Sequence, residues 1–439
     1  MTTYHLTPTH HFSGTFRVPG DKSISHRAVM LASLAEGTSE VTGFLTGEDC
    51  LCTMKAFQAM GVQIERLADT HLRIHGVGLH GLKAPAHALD VGNSGTSMRL
   101  MSGLLAAQAF ASTLIGDSSL AKRPMRRITD PLAAMGASID TQDGKAPLYF
   151  SPTQGLKAIQ HVSKVASAQV KSGILLAGLY AQGTTSVTEP EASRDHTERM
   201  LQAFGVDIEA RDGYAAITGG QRLQAANIQV PADISSATFL MLAAALVPNS
   251  DVLLVDVGIN PTRTGVIDIL QSMGAHIALE NPRTFGGEPV ADIRVQGRAL
   301  KGIHVDEALV ASAIDEFPAI FIAAACAEGT TLVTGAEELR VKESDRIASM
   351  IHGLQALGVT CEAHPDGATI IGQPRLGVSR ANVTIDTHGD HRIAMSFAVA
   401  SLRTDSHLTL LDCENVNTSF PGFAELVQQG GLNLRVQSS

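Results

Sequence analysis

At 439 residues the chain exceeds what one hydrophobic core usually holds, so two domains of roughly 200 residues are expected. A net charge of -10, 4% aromatic residues and no Trp exclude a general nucleic-acid or anionic-membrane binder, so any basic site must be local. The five cysteines, Cys50, Cys52, Cys326, Cys361 and Cys413, form no CxxC pair. They fit reduced thiols, and with neither a signal peptide nor an apolar run of bilayer length a cytoplasmic protein is expected.

The first informative segment is Gly20-Asp21-Lys22-Ser23-Ile24-Ser25-His26-Arg27, with Ile24, Ala28, Leu31 and Ala35 at helical spacing behind it. The strand-like Thr15 to Val18 runs into Pro19, Asp21 is placed to cap a helix, and Lys22 and Ser23 fall in its first turn. Orphan N–H groups and the dipole favour an anion there, and Lys22, Ser23 and Arg27 suit a phosphate or carboxylate. A capped helix with a solvated charged end is the alternative. A P-loop does not fit, because Asp21 separates Gly20 from Lys22 and Gly14 lies too far back.

Further along, the chain repeats itself. Gly61, Gly136, Gly205, Gly274 and Gly358 each close a helix-patterned stretch ahead of a short strand, and Gly431 marks a degenerate sixth copy. Glycine there suits a left-handed helix C-cap. Each unit is preceded by an Ala-rich helix, apolar nearly all round and therefore buried, whose head is polar. The six heads are Lys22/Ser23, Asn93 to Thr96, Ser167/Gln169/Lys171, Asp233/Ser235/Ser236, Asp315/Glu316 and Asp390/His391/Arg392. Capping explains the Asp, Ser and Asn residues. Lys22, Lys171 and Arg392 oppose the dipole and make sense if an anion sits among them.

Two other charged stretches stand out. Arg340-Val341-Lys342-Glu343-Ser344-Asp345-Arg346 is expected to begin a helix, either as a solvated end laced with ion pairs or as a functional cluster. Lys122, Arg123, Arg126 and Arg127 pose the same choice. Asp315 is expected to cap the helix from Phe317 to Ala327 and is also placed to act as a general base. No His or Cys spacing suggests a metal.

Gly20 to Arg27, Gly92-Asn93-Ser94-Gly95-Thr96 with Arg99, Lys122-Arg123-Pro124-Met125, Arg340 to Arg346 and Gly389-Asp390-His391-Arg392 occur in this order. Together they resemble, over essentially the whole chain, the 5-enolpyruvylshikimate-3-phosphate synthase family of enolpyruvyl transferases, and its more divergent second class. The resemblance implies a two-domain inside-out α/β barrel, each domain three βαβαββ repeats with buried helices and the active site in the interdomain cleft. It places one domain at 20–233 and the other at 1–19 and 234–439. It implies transfer of the enolpyruvyl group of phosphoenolpyruvate to the 5-hydroxyl of shikimate-3-phosphate, with no cofactor or metal and with a monomeric protein.

By motif, the resemblance assigns shikimate-3-phosphate to Lys22, Ser23, Arg27, Ser167, Ala168, Gln169, Arg194, Asp315 and Lys342. It assigns phosphoenolpyruvate to Lys22, Asn93, Gly95, Arg123, Gln169, Arg346 and Arg392. Glu343 is the expected acid at carbon, Asp315 the base at the hydroxyl and Lys22 the electrostatic stabiliser, with the two carboxylate roles open to exchange. Ser167-Ala168-Gln169 replaces a common Ser-Ser-Gln, Thr418 precedes Ser419-Phe420-Pro421 where many members have lysine, and Arg194 replaces serine. The alternatives are UDP-N-acetylglucosamine enolpyruvyl transferase, whose loop cysteine is missing from Gly116 to Thr129, and a non-catalytic phosphometabolite binder.

Overall fold

The computed structural model describes residues 2–378 and 380–438. The chain divides into two compact units. Unit 1 is Met1–Pro19, Pro231–Arg283 and Pro289–Ser439; unit 2 is Gly20–Val230 with the short segment Thr284–Glu288. The second passage between units therefore falls at 230/231, against the 233/234 read from the sequence, and the segment 284–288 is an addition the sequence did not suggest.

Each unit is organised around three buried helices. In unit 2 these are α1 (Lys22–Leu34), α2 (Gly95–Leu105) and α3 (Ala168–Gly178); in unit 1 they are α4 (Ile234–Leu246), α5 (Phe317–Ala325) and α6 (His391–Ala400). In α4, α5 and α6 every residue is buried, which explains why their sequences lack a polar face. Small residues let these helices approach closely. A Cβ added to Gly103 of α2 would lie 2.0 Å from the Gly173 carbonyl oxygen of α3, so the two backbones cross with no side chain between them.

The sheets cover the helices with one recurring pattern. In unit 2, Ile228–Gln229 runs parallel to Glu36–Thr42, which pairs antiparallel with His71–Val77 and that with Gln63–Ala68. Leu89–Asp90, Ser112–Ile115, Lys145–Phe150 and Ile139–Gln142 repeat this order, as do Gln160–Val162, Thr184–Thr188, Tyr214–Thr218 and Ile208–Arg211. Unit 1 completes its repeats with the start of the chain. Thr2–Thr7 lies between His407–Leu411 and Asn433–Ser438, and Gly14–Phe16 is the parallel edge beside Asp251–Gly258.

The repeat glycines do what their positions require. Gly61, Gly136, Gly205, Gly274, Gly358 and Gly431 all have positive φ, between 78° and 116°, where a Cβ is strained. The ends of the chain thus fold into the same unit that the repeat count demands. No helix among the described residues is long and apolar enough to cross a membrane.

Candidate active site

The first set of predicted residues gathers at the heads of α1, α2 and α3 in unit 2. Asp21 caps α1 by accepting from the Ile24 N–H at 2.8 Å, which sets Lys22 and Ser23 in the first turn. Lys22 Nζ donates to Asp49 Oδ2 at 3.1 Å, the carboxylate coming from the helix Glu48–Ala59. Arg27, buried one turn later, donates from Nε to Thr197 Oγ1 (2.7 Å), from Nη2 to Ser172 Oγ (2.8 Å) and from Nη1 to the Ser23 carbonyl (3.0 Å). Burial, with Arg194 adding to it and Glu198 and Asp21 opposing, lowers the Arg27 pKa to about 10.

Between Lys22 and Arg27, His26 points into the core. Burial first, then Lys22 and Arg27, push its pKa well below the ordinary value, so the ring is neutral. Its Nδ1 lies 2.8 Å from Thr53 Oγ1 and its Nε2 3.4 Å from Ser94 Oγ, the cap of α2. His26 therefore joins the heads of α1 and α2 without adding charge.

At that second head, Asn93 Oδ1 accepts from Arg123 Nη2 at 2.8 Å. A Cβ on Gly95 would stand 3.0 Å from Arg99 Nη1 and 3.3 Å from Arg123 Nη1, so glycine leaves room for two guanidinium groups over the helix start. Gln169 in α3 donates to Thr96 Oγ1 at 3.0 Å and accepts from Arg99, tying the second and third heads. Ser167 caps α3, and Ala168 is its first residue.

The second set gathers in unit 1 around a guanidinium that is 1% exposed. Arg346 donates to Glu343 Oε2 (2.6 Å), Asp390 Oδ2 (2.8 Å) and Asp315 Oδ1 (3.4 Å). Burial alone would lower its pKa, but Asp390, Glu343 and Asp315 raise it above the ordinary arginine value. Lys342 Nζ also reaches Asp315 at 3.4 Å. Arg392, at the start of α6, donates to the Asp315 carbonyl at 2.8 Å and lies 3.4 Å from Glu316 Oε1.

Several expectations need correction. Asp315 does not cap α5: Glu316 occupies the cap position without a side-chain cap bond, and α5 ends at Ala325. The Arg340–Arg346 stretch does not begin a helix as a whole. Glu337–Val341 is a 3-10 turn, and Asp345 caps a helix that starts at Arg346. The cations at the helix heads are balanced by the protein itself: Lys22 by Asp49, Lys171 by Glu189 (3.1 Å) and Glu198 (2.9 Å), Arg392 by Glu316.

The sequence singles out none of Asp49, Glu189 or Glu198; it marks Glu316 only as a helix head, and Asp390 as a helix head and a member of the Gly389–Arg392 motif without a role. Asp390 was open to detection, since it lies in a motif beside Arg392. The other carboxylates carried no local signal. Among the described residues no group of His, Cys, Asp and Glu could hold a metal ion.

Comparison with known proteins agrees along the whole chain. The family model described as EPSP synthase (3-phosphoshikimate 1-carboxyvinyltransferase) matches residues 6–427. A relative from Methylococcus capsulatus named 3-phosphoshikimate 1-carboxyvinyltransferase is 60% identical over 431 residues, covering 98% of this chain and 97% of its own. One of the same name from Acidithiobacillus ferrooxidans is 58% identical over 439 residues, covering 100% of both. The solved structure of an EPSP synthase from Acinetobacter baumannii superimposes with a TM-score of 0.90 at 55% identity, covering 100% of both chains.

Proposed function

The chain belongs to the EPSP synthase family and is a transferase, and we propose that it moves the enolpyruvyl group of phosphoenolpyruvate onto the 5-hydroxyl of shikimate-3-phosphate, releasing inorganic phosphate. It does so as a cytoplasmic monomer. Ser23, Arg27, Ser167, Ala168, Gln169 and Arg194 hold shikimate-3-phosphate, with Asp315 and Lys342 on its ring hydroxyls. Asn93, Gly95, Arg123, Gln169, Arg346 and Arg392 hold phosphoenolpyruvate, and Lys22 touches both substrates. Each substrate carries a carboxylate and a phosphate, a chemistry that bidentate arginines match.

The observation that carries this reading is the shared guanidinium of Arg346. Its N–H groups hold both carboxylates that the two proton transfers need, Asp315 and Glu343. An incoming phosphoenolpyruvate competes for those N–H groups. Once displaced from Arg346, Glu343 can carry a proton to the methylene carbon, while Asp315, still facing Lys342, accepts the proton of the 5-hydroxyl. The tetrahedral adduct then loses phosphate, which takes up the proton held by Asp315 while Lys22 stabilises the departing charge, and the methyl group returns its proton to Glu343.

A coupled assay of phosphate release tests the proposal. Phosphate should appear only when both substrates are present, with the enolpyruvyl ether formed in equal amount. Release from phosphoenolpyruvate alone, or none with both, would exclude the transfer.

A further inference from the structure

Lys171 sits in the first turn of α3, where a cation opposes the helix dipole, and the proposed substrate contacts do not use it. Its surroundings explain it. Lys171 Nζ lies 3.1 Å from Glu189 Oε2, 2.9 Å from Glu198 Oε1 and 3.3 Å from the Ser193 carbonyl, with all three charged side chains at 5% exposure or less. Burial pulls the lysine pKa down, but Glu198 and Glu189 outweigh it and hold the value above that of an ordinary lysine.

Glu189 uses both of its oxygens. Oε1 accepts from the backbone N–H of Ser167 at 2.7 Å, and Oε2 accepts from Ser193 Oγ at 2.7 Å. Ser167 is the cap of α3, directly ahead of Ala168 and Gln169; Ser193 directly precedes Arg194. We propose that Glu189 is a positioning residue for the shikimate-3-phosphate contacts Ser167, Ala168, Gln169 and Arg194, clamping the Ser167–Gln169 helix head and the Ser193–Arg194 loop to one buried carboxylate.

The clamp has a physical logic. A cation-rich phosphate site repels its own parts when empty, and Arg194 already contributes to lowering the pKa of Arg27. Loops carrying such cations need an anchor that the ligand does not compete for. A carboxylate with no exposed surface, balanced by Lys171 and bonded to both loops, is such an anchor. Charge-assisted bonds of this kind are roughly twice as strong as neutral ones, so losing them loosens both loops before ligand arrives.

This inference rests on the proposed function, and two variants test it. Glu189→Gln keeps the shape but offers one acceptor oxygen in place of two, and Ser193→Ala removes one clamp bond without stranding a charge. Binding of shikimate-3-phosphate alone should be measured by titration calorimetry, alongside steady-state kinetics and thermal midpoints. Glu189→Gln should weaken shikimate-3-phosphate roughly tenfold or more, with a smaller rise in the KM for phosphoenolpyruvate through Gln169, and Ser193→Ala should weaken shikimate-3-phosphate roughly threefold; kcat in both variants, and the KM for phosphoenolpyruvate in Ser193→Ala, stay within about twofold.

If the parent turns over and the folded variants bind shikimate-3-phosphate as the parent does, the clamp is wrong and the function stands. Equal losses for both substrates, or a fall in kcat that follows the thermal midpoint, would make Glu189 merely structural. Should Glu189→Gln fail to fold, Ser193→Ala decides alone. A parent that neither binds shikimate-3-phosphate nor releases phosphate would remove the functional reading, and the clamp with it.

Discussion

Two buried arginines, one in each unit, sit in opposite surroundings. Arg27 rests on two hydroxyls and a carbonyl, and its pKa falls to about 10; Arg346 faces three carboxylates, and its pKa rises. The same side chain is left short of negative charge in one place and oversupplied in the other. Arg27 therefore favours an incoming anion outright, whereas an anion reaching Arg346 must displace a carboxylate. In the proposed reaction the first behaviour suits tight holding of the acceptor substrate. The second couples arrival of the donor to freeing of its acid.

The largest effect that would sharpen this contrast is expected from Arg346→Met. It strands Asp390, which is fully buried, with Glu343 and Asp315 close by, and should cost about 3–5 kcal/mol in denaturant unfolding as well as turnover. Near-parent stability would break the picture of a saturated guanidinium. The acid limb gives a companion test. Although burial raises it, Arg346 holds the Asp390 pKa below the ordinary carboxyl value. Its stabilisation is therefore fully present above the unfolded pKa of about 3.9 and is lost as pH falls through the lower folded value. Asp390→Asn should be less stable than the parent at neutral pH, with a smaller further loss in acid.

Next comes Asp315→Asn. Since Asp315 is not a helix cap and is one of three carboxylates on Arg346, stability should fall by only about 1 kcal/mol, while turnover falls by roughly 10²–10⁴. Deuterium exchange into the methylene group of phosphoenolpyruvate separates the roles. Robust exchange in Glu343→Gln with none in Asp315→Asn would reverse the acid and base assignments.

Arg27→Met should show the other side of the contrast. Thr197 Oγ1 already donates to Ser172 Oγ at 2.7 Å, so the two hydroxyls satisfy one another when the guanidinium goes. Stability should change by no more than about 1 kcal/mol, with shikimate-3-phosphate affinity down by roughly a hundredfold. A large loss of stability would mean Arg27 is as structural as Arg346. The smallest effect belongs to Gly95→Ala, whose methyl would press on Arg99 and Arg123. The KM for phosphoenolpyruvate should rise several-fold, roughly 1 kcal/mol, and binding of shikimate-3-phosphate should hardly move.

Much of the fold was open to reading because it is periodic. A glycine that must adopt positive φ recurs in every repeat, and helices apolar on every side, such as Phe317–Ala325, announce their burial through composition alone. Lys22 and Arg392 were visible because they stand at helix heads, where capping does not require a cation; Arg123, Lys342 and Arg346 stood out only as parts of charged runs, and Arg194 only through the family resemblance. Their counter-charges were not. Glu189 and Glu198 meet Lys171 from elsewhere in the chain, and no local pattern records such pairing. The Asp315 error was one of single-residue resolution. Adjacent acidic residues look alike at a helix start, and only the backbone decides which one caps.

The close crossing of α2 and α3 at Gly103 and Gly173 gives the unit a remote adjustment point. Gly103 lies eight residues along α2 from Gly95, about 12 Å at the rise of an α-helix. Even one methyl group there would have to push the helices apart, because the obstacle is main chain rather than a yielding side chain. The displacement would travel along a stiff rod to the Gln169–Thr96 and Gln169–Arg99 bonds at its other end. A change of ligand preference thus has a route that leaves every proposed contact residue unchanged.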